Sequence, residues 1–182
     1  MPPSPDAVSE PRSARQRLVV RPVRPEEHAA VGELLLAAYG AGGHLRGDPG
    51  YGAHVADVAG RSQQHHVLVA ERDGALVGSV TITPPGSPDS EQAAADELEF
   101  RFLGVAPEAW GTGVAEALVA ACEDYAVEAG LRSTVICVID WNEPALRLYE
   151  RLGFRRAPDR DWRPRPDIHL CALVRPVGPA AG

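Results

Sequence analysis

The residue types and spacing that could do chemistry lie in the middle of this 182-residue chain, around Trp110-Gly111-Thr112-Gly113-Val114-Ala115. This run of small residues separates two periodic segments. Before it, Leu98, Phe100 and Phe102 alternate with Glu97, Glu99, Arg101, Leu103 and Val105, the two-residue period of a strand. Gly104 within the strand suggests a bulge, or a place where another molecule approaches the backbone. Pro107 closes the strand, having no N–H for the ladder. After the turn, Val114, Leu118, Cys122, Tyr125 and Ala129 recur at helical spacing. A helix start presents N–H groups without intrahelical partners and a partial positive charge, and glycines let a phosphate come close to them. The chemistry of such a junction is anion binding. A Gly-x-Gly pair also serves turns that need only φ > 0. A Walker loop is excluded because no Lys-Ser/Thr follows, and the third glycine and downstream acid of a Rossmann fingerprint are missing.

The stretch resembles the acetyl-coenzyme A signature of the GNAT superfamily of N-acetyltransferases, Gln/Arg-x-x-Gly-x-Gly/Ala, with Trp110, Gly113 and Ala115 at the three defined positions. A second segment, Asn142-Glu-Pro-Ala145-Leu-Arg-Leu-Tyr149-Glu-Arg-Leu-Gly153-Phe154, is similar to the family's Asn-x-x-Ala-x-x-x-Tyr-x-x-x-Gly-Phe. The two motifs stand in the family's order and cover roughly Leu18 to Arg175. Trp110 departs from Gln/Arg, which matters little where the contact is made by backbone N–H. The resemblance implies acetyl-CoA as cosubstrate, an amine as acceptor, no metal, and transfer by direct attack in a ternary complex. Homodimers are frequent in the superfamily.

The resemblance also assigns roles. Trp110, Gly111, Thr112, Gly113, Val114, Ala115 and Glu116 would cradle the pyrophosphate. Backbone N–H groups near Leu103, Gly104 and Val105 would polarise the thioester carbonyl. Asn142 and Ala145 would lie along the pantetheine arm, although Asn142 also suits a helix cap. Glu99 matches the strand carboxylate that several branches use as general base, with Glu97 two residues away as second choice; Arg101, on the same face, could instead simply pair with Glu99. Tyr149 matches the general acid that protonates the departing thiolate, where its plain alternative is an aromatic packed beside Leu146 and Leu152. A branch that acetylates protein N-termini carries glutamate where Cys137 stands. A different class of reading is a GNAT-fold module that binds acyl-CoA without turnover.

Composition sets outer bounds. The length suits one domain, and an apolar fraction of 45% is that of a globular chain without a membrane-spanning run. All 18 positive charges are arginine, and the net charge of −7 argues against a nucleic-acid face while suiting a cationic acceptor. Cys122, Cys137 and Cys171 are dispersed, without metal-ligand spacing, and imply a reduced, cytoplasmic setting. His65-His66 makes a poor metal pair, since adjacent strand residues point oppositely.

These residues need positioning elements. Leu18 starts a strand, and Pro25-Glu26-Glu27 opens a helix with Ala30, Val31, Leu34, Leu35 and Ala38 on its core face. Tyr51 to Arg61 could form one short helix, and the loop carrying His44, Arg46, Asp48 and Tyr51 could line the acceptor side. His66–Ala70 and Ala75–Thr83 pair around Asp73-Gly74. Ser133–Ile139 is a strand, Asn142 caps a helix ending at Gly153, and the chain after Phe154 pairs with Ile168–Val174. The order predicts an α/β domain with a central mixed, mostly antiparallel sheet and helices on both faces, which the resemblance specifies as the GNAT fold. Residues 18–175 form that domain, residues 1–17 a disordered leader and residues 176–182 a flexible tail.

Overall fold

A computed structural model describes residues 17–45 and 49–178. The leader, apart from Arg17, the last four residues of the tail, and Arg46 and Asp48 lie outside the described residues. Strand β1 (Leu18–Pro22) is followed by α1 (His28–Ala41), α2 (Pro49–Ala56) and α3 (Val58–Arg61). Then come β2 (His66–Arg72), β3 (Ala75–Thr83), β4 (Glu97–Val105), α4 (Val114–Glu128), β5 (Ser133–Ile139) and α5 (Glu143–Arg151). Three strands finish the chain: β6 (Arg155–Arg156), β7 (Trp162–Arg165) and β8 (Ile168–Pro176). The final strand pair expected from sequence is therefore three strands. The expected Tyr51–Arg61 helix is two, because Asp57 leaves helical geometry and accepts from the Gly60 amide as an N-cap.

The sheet runs β1-β2-β3-β4-β5-β8-β6, with β7 also on β8. All pairings are antiparallel except β4 with β5. Helices cover both faces, as the element order predicted. One core joins Leu98, Phe100, Val80 and Ile82 of the sheet to Val114, Leu118, Val119 and Cys122 of α4 and Tyr149 of α5. The other joins Val67, Val69 and Phe102 to Val31 and Leu35 of α1, Val55 of α2 and Val58 of α3. Among the described residues no helix is long and apolar enough to cross a membrane.

Two local features of β4 open the sheet. β4 and β5 pair only from Glu97↔Ser133 to Glu99↔Val135 and then part. On the other edge, Thr81 faces Arg101 but Ser79 faces Gly104, so β4 carries one residue more than β3 across this interval. The extra residue is a bulge centred on Phe102, whose φ of 51° is in the left-handed region that non-glycine residues rarely occupy. The bulge reverses the alternation expected from sequence. Phe102 leaves the face of Leu98 and Phe100 for the α1 core, while Leu103 and Val105 pack with the α4 core. Gly104 is not the bulge. A Cβ there would meet Leu35 Cδ2 at 2.7 Å, so α1 approaches the backbone at that point.

Candidate active site

The space left where β4 and β5 part is a cavity of about 920 Å³, open at its mouth and large enough for an extended ligand. Among the described residues, those predicted for the site line it except Thr112 and the second-choice base Glu97.

One end is the turn into α4. Gly111 (φ 71°) and Gly113 (φ 84°) are both left-handed, and a Cβ on either would meet nothing within 4 Å. Backbone conformation therefore demands glycine, and open space lies above both residues. Ala117 N is the first amide to bond back into the helix, to Gly113 O at 3.1 Å, so the amides of Val114, Ala115 and Glu116 have no intrahelical partner. Glu116 would repel an anion at this helix start, but Arg151 of α5 pairs with it at 2.9 Å. The turn is held from outside: Thr112 faces away from the cavity, where Arg72 donates to its Oγ1 (2.8 Å) and its carbonyl (3.0 Å). The Trp110 ring is half exposed and donates from Nε1 to Val105 O at 2.8 Å, tying the end of β4 to the turn.

Glu99 stands at the other end, beside the last β4–β5 pair and 1% exposed. Its Oε2 accepts from Ser90 Oγ (2.9 Å) and from the amides of Glu91 (2.8 Å), Gln92 (3.0 Å) and Ala93 (3.3 Å). Its Oε1 is buried without a partner. Four donors on one oxygen fix the carboxylate's orientation and leave the other oxygen unengaged by protein. Arg101 does not pair with Glu99. It pairs with Glu91 and donates to Asp89 O at 3.0 Å.

Glu97 has a different setting and does not line the cavity. Its oxygens accept from Ser133 Oγ (2.9 Å), the Ala94 amide (2.9 Å) and Arg160 (2.8 Å). Burial alone would raise this carboxyl, but the hydrogen bonds from Arg160, Ala94 and Ser133 outweigh it and hold the group below the ordinary carboxylate range. Glu97 is a structural anchor between β4, β5 and the Pro158–Arg160 turn.

Tyr149 is 4% exposed, with its ring edge-on to Phe154 at 5.4 Å. Burial pushes its phenol well up, so it stays protonated. Cys137 lines the same cavity, and burial, with smaller contributions from Glu99 and Glu91, pushes its thiol to about 12. Asn142 caps α5, accepting from the Ala145 amide at 3.2 Å. Its amide nitrogen meets His44 Nε2 at 3.2 Å, so that ring nitrogen is the acceptor. His44 stacks on Trp141 (4.9 Å) and meets Tyr39 edge-on, which clasps the end of α1 to the start of α5 at the cavity wall. Tyr51 lines the wall as well.

Sequence reasoning missed Ser90 and the Glu91–Ala93 amides, for which the signal was a connection longer than usual between β3 and β4. It also missed Arg72, which reads only as part of a hairpin. Away from the cavity, Asp161, His169 and Cys171 converge within 4.8 Å although their spacing suggested nothing. Asp161 is already engaged there by Arg156 and the Ala172 amide.

Comparison with known proteins matches this architecture. Residues 30–154 match the family model described as "Acetyltransferase (GNAT) family". A mycothiol acetyltransferase from Cellulomonas flavigena is 39% identical over 114 residues, which are 59% of this chain and 33% of that protein. The chain thus spans about a third of that curated relative's length. A GCN5-related N-acetyltransferase from Kribbella flavida superposes with a TM-score of 0.65 at 26% identity, covering 88% of this chain and 98% of that one. The PaiA N-acetyltransferase from Thermoplasma acidophilum, solved in complex with coenzyme A, superposes with a TM-score of 0.67 at 15% identity, covering 86% and 98%. With the family model spanning most of the chain, and with the splayed strands and the glycine turn where the signature residues fall, the chain belongs to the acetyltransferase (GNAT) family.

Proposed function

We propose that this chain transfers the acetyl group of acetyl-CoA to a primary amine of a small molecule or protein, by direct attack in a ternary complex. As a member of its family it is an acetyl-CoA-dependent acetyltransferase. The observation that carries the reading is one cavity lined at once by the unpartnered amides of the α4 start, by Glu99 with its open Oε1, and by Tyr149.

Pyrophosphate sits on the amides of Gly113 to Glu116, and the pantetheine arm runs between β4 and β5 past Asn142 and Ala145. The acceptor ammonium gives a proton to Glu99 Oε1, and its freed lone pair attacks the thioester carbon. Charge developing on the carbonyl oxygen meets backbone N–H groups of the unpaired β4 edge near Leu103 to Val105. The C–S bond then breaks, the thiolate takes the Tyr149 proton, and the second proton of the attacking nitrogen returns to the phenolate, leaving the neutral amide, coenzyme A thiol and a proton on Glu99 that passes to solvent. Burial keeps the Tyr149 phenol protonated until the thiolate forms beside it. Neither step needs a covalent enzyme intermediate.

The test is calorimetric titration with acetyl-CoA, with Gly113→Trp as control, followed by thiol release across an amine panel. Binding that the control abolishes, together with turnover lost in Glu99→Gln, supports the reading. A wild type that binds acetyl-CoA yet gives no thiol release with any amine of the panel marks a non-catalytic binding module.

A further inference from the structure

We infer that a second pocket, adjoining the acceptor end of the cavity, binds a carboxylate carried by the acceptor amine; this rests on the acetyltransferase reading above. The pocket measures about 330 Å³ and shares Glu91, Arg101 and Phe102 with the main cavity. Three of its side chains carry buried polar atoms without a protein partner: Arg61 Nε, His65 Nδ1 and Thr81 Oγ1. Native proteins rarely leave such atoms unsatisfied, and three around one space mark it as a place something polar occupies.

Charge decides what that is. Among the pocket's charged groups, Arg101 pairs with Glu91, and His65 Nε2 lies 3.0 Å from Asp89. Arg61 is 7% exposed and has no carboxylate partner among the described residues. Its terminal nitrogens donate to the His54 and Val55 carbonyls at 2.5 and 2.8 Å, and its guanidinium lies 4.2 Å from the centre of the Phe102 ring. Water in the pocket would satisfy the hydrogen bonds but not this buried positive charge, whereas a carboxylate meets the charge and the two donors, Arg61 Nε and Thr81 Oγ1; His65 Nδ1, the acceptor while Nε2–H donates to Asp89, is met by water beside it. Phe102, strained at the bulge and pressed by Arg61 on this side, forms the wall between the pocket and the cavity. A substrate with its amine toward Glu99 and its carboxylate toward Arg61 would span that wall.

The experiment compares ω-amino acids of increasing chain length with the carboxamides of the same lengths, measuring kcat/KM at saturating acetyl-CoA. At the best length the carboxylate exceeds its carboxamide by about tenfold or more. Thr81→Val removes one of the two donors but not the Arg61 charge, so it cuts that advantage severalfold through KM and leaves the KM for acetyl-CoA unchanged. Arg61 also holds the end of α2, so Arg61→Lys is the conservative companion variant. A direct arm needs no turnover: the Arg61 Nε–H resonance of the full chain shifts on titration with propionate, and Thr81→Val raises the propionate concentration needed severalfold. Equal rates for acid and amide at every length, or an unmoved resonance at millimolar propionate, overturn the inference. Propionate that stimulates acetylation of a plain alkylamine also overturns it, because the pocket is then an effector site. Failure to bind acetyl-CoA counts against the acetyltransferase reading, while the propionate titration still decides the pocket.

Discussion

At the α4 end the cavity wall is built mainly from one stretch of chain, Leu103 to Glu116, and what that stretch offers a ligand is backbone amides. At the Glu99 end the wall is assembled from α1, α2, the Ser90–Ala93 loop, β4, β5 and β8, and its contacts are side chains. The difference follows from what each end has to bind. A fixed phosphate-bearing donor suits backbone donors that no substitution can remove, apart from proline or a change of turn. An acceptor, on the reading proposed above, meets side chains drawn from several elements, which can change one at a time. The two buried carboxylates of β4 repeat the contrast: Glu97 spends both oxygens on protein partners, and Glu99 keeps one open.

Substitutions that separate the two ends test this division. Glu99→Gln is expected to lower kcat by about 10² to 10⁴ with acetyl-CoA affinity unchanged, as for loss of a general base; an equal loss in affinity would merge the two ends. Gly113→Val forces a β-branched residue into φ 84° and is expected to weaken acetyl-CoA binding by roughly tenfold or more, since left-handed geometry costs such residues about 1–2 kcal/mol before any clash with ligand. Calorimetry reads it, and amine KM should not move. Glu97→Gln leaves Arg160 without its partner and should lower unfolding stability by on the order of 3 kcal/mol while sparing turnover of the folded enzyme. Because the Glu97 carboxyl titrates below its unfolded value of about 4.3, its contribution is present above that pH and is lost as pH falls through the lower folded value. Denaturation of wild type and Glu97→Gln should therefore converge in acid. Asn142→Ala removes a cap and the clasp to His44, for about 1 kcal/mol of stability and a small rise in acetyl-CoA KM.

The same division governs what could be read from the sequence. The donor end was legible because it is contiguous: a strand period, a glycine turn and a helix period follow one another within Glu97–Glu128. Glu99 could be proposed, but not what orients it, because Ser90 and three amides act from a loop whose residues signal only irregular structure. Composition at Gly104 suggests either a bulge or a close approach to the backbone, and the bulge lies elsewhere. It sits at Phe102, whose left-handed backbone is imposed by tertiary packing under Arg61 and against α1. Thr112 is in the signature run, yet its side chain faces Arg72, a residue 40 positions away that no local pattern could connect to it.

The short β4–β5 seam also has a mechanical meaning. Three paired positions join β1–β4 to β5–β8 across the middle of the sheet, against seven between β5 and β8 and seven between β2 and β3. Along its hydrogen bonds the sheet is two leaves joined by a narrow seam, with α4 as the covalent connection between them and one core packed across it. A pantetheine arm lying in the gap would act as a removable strand. Amide exchange in β5 should slow when the donor binds and quicken when the product leaves, so that each turnover stiffens and relaxes the molecule along that one line.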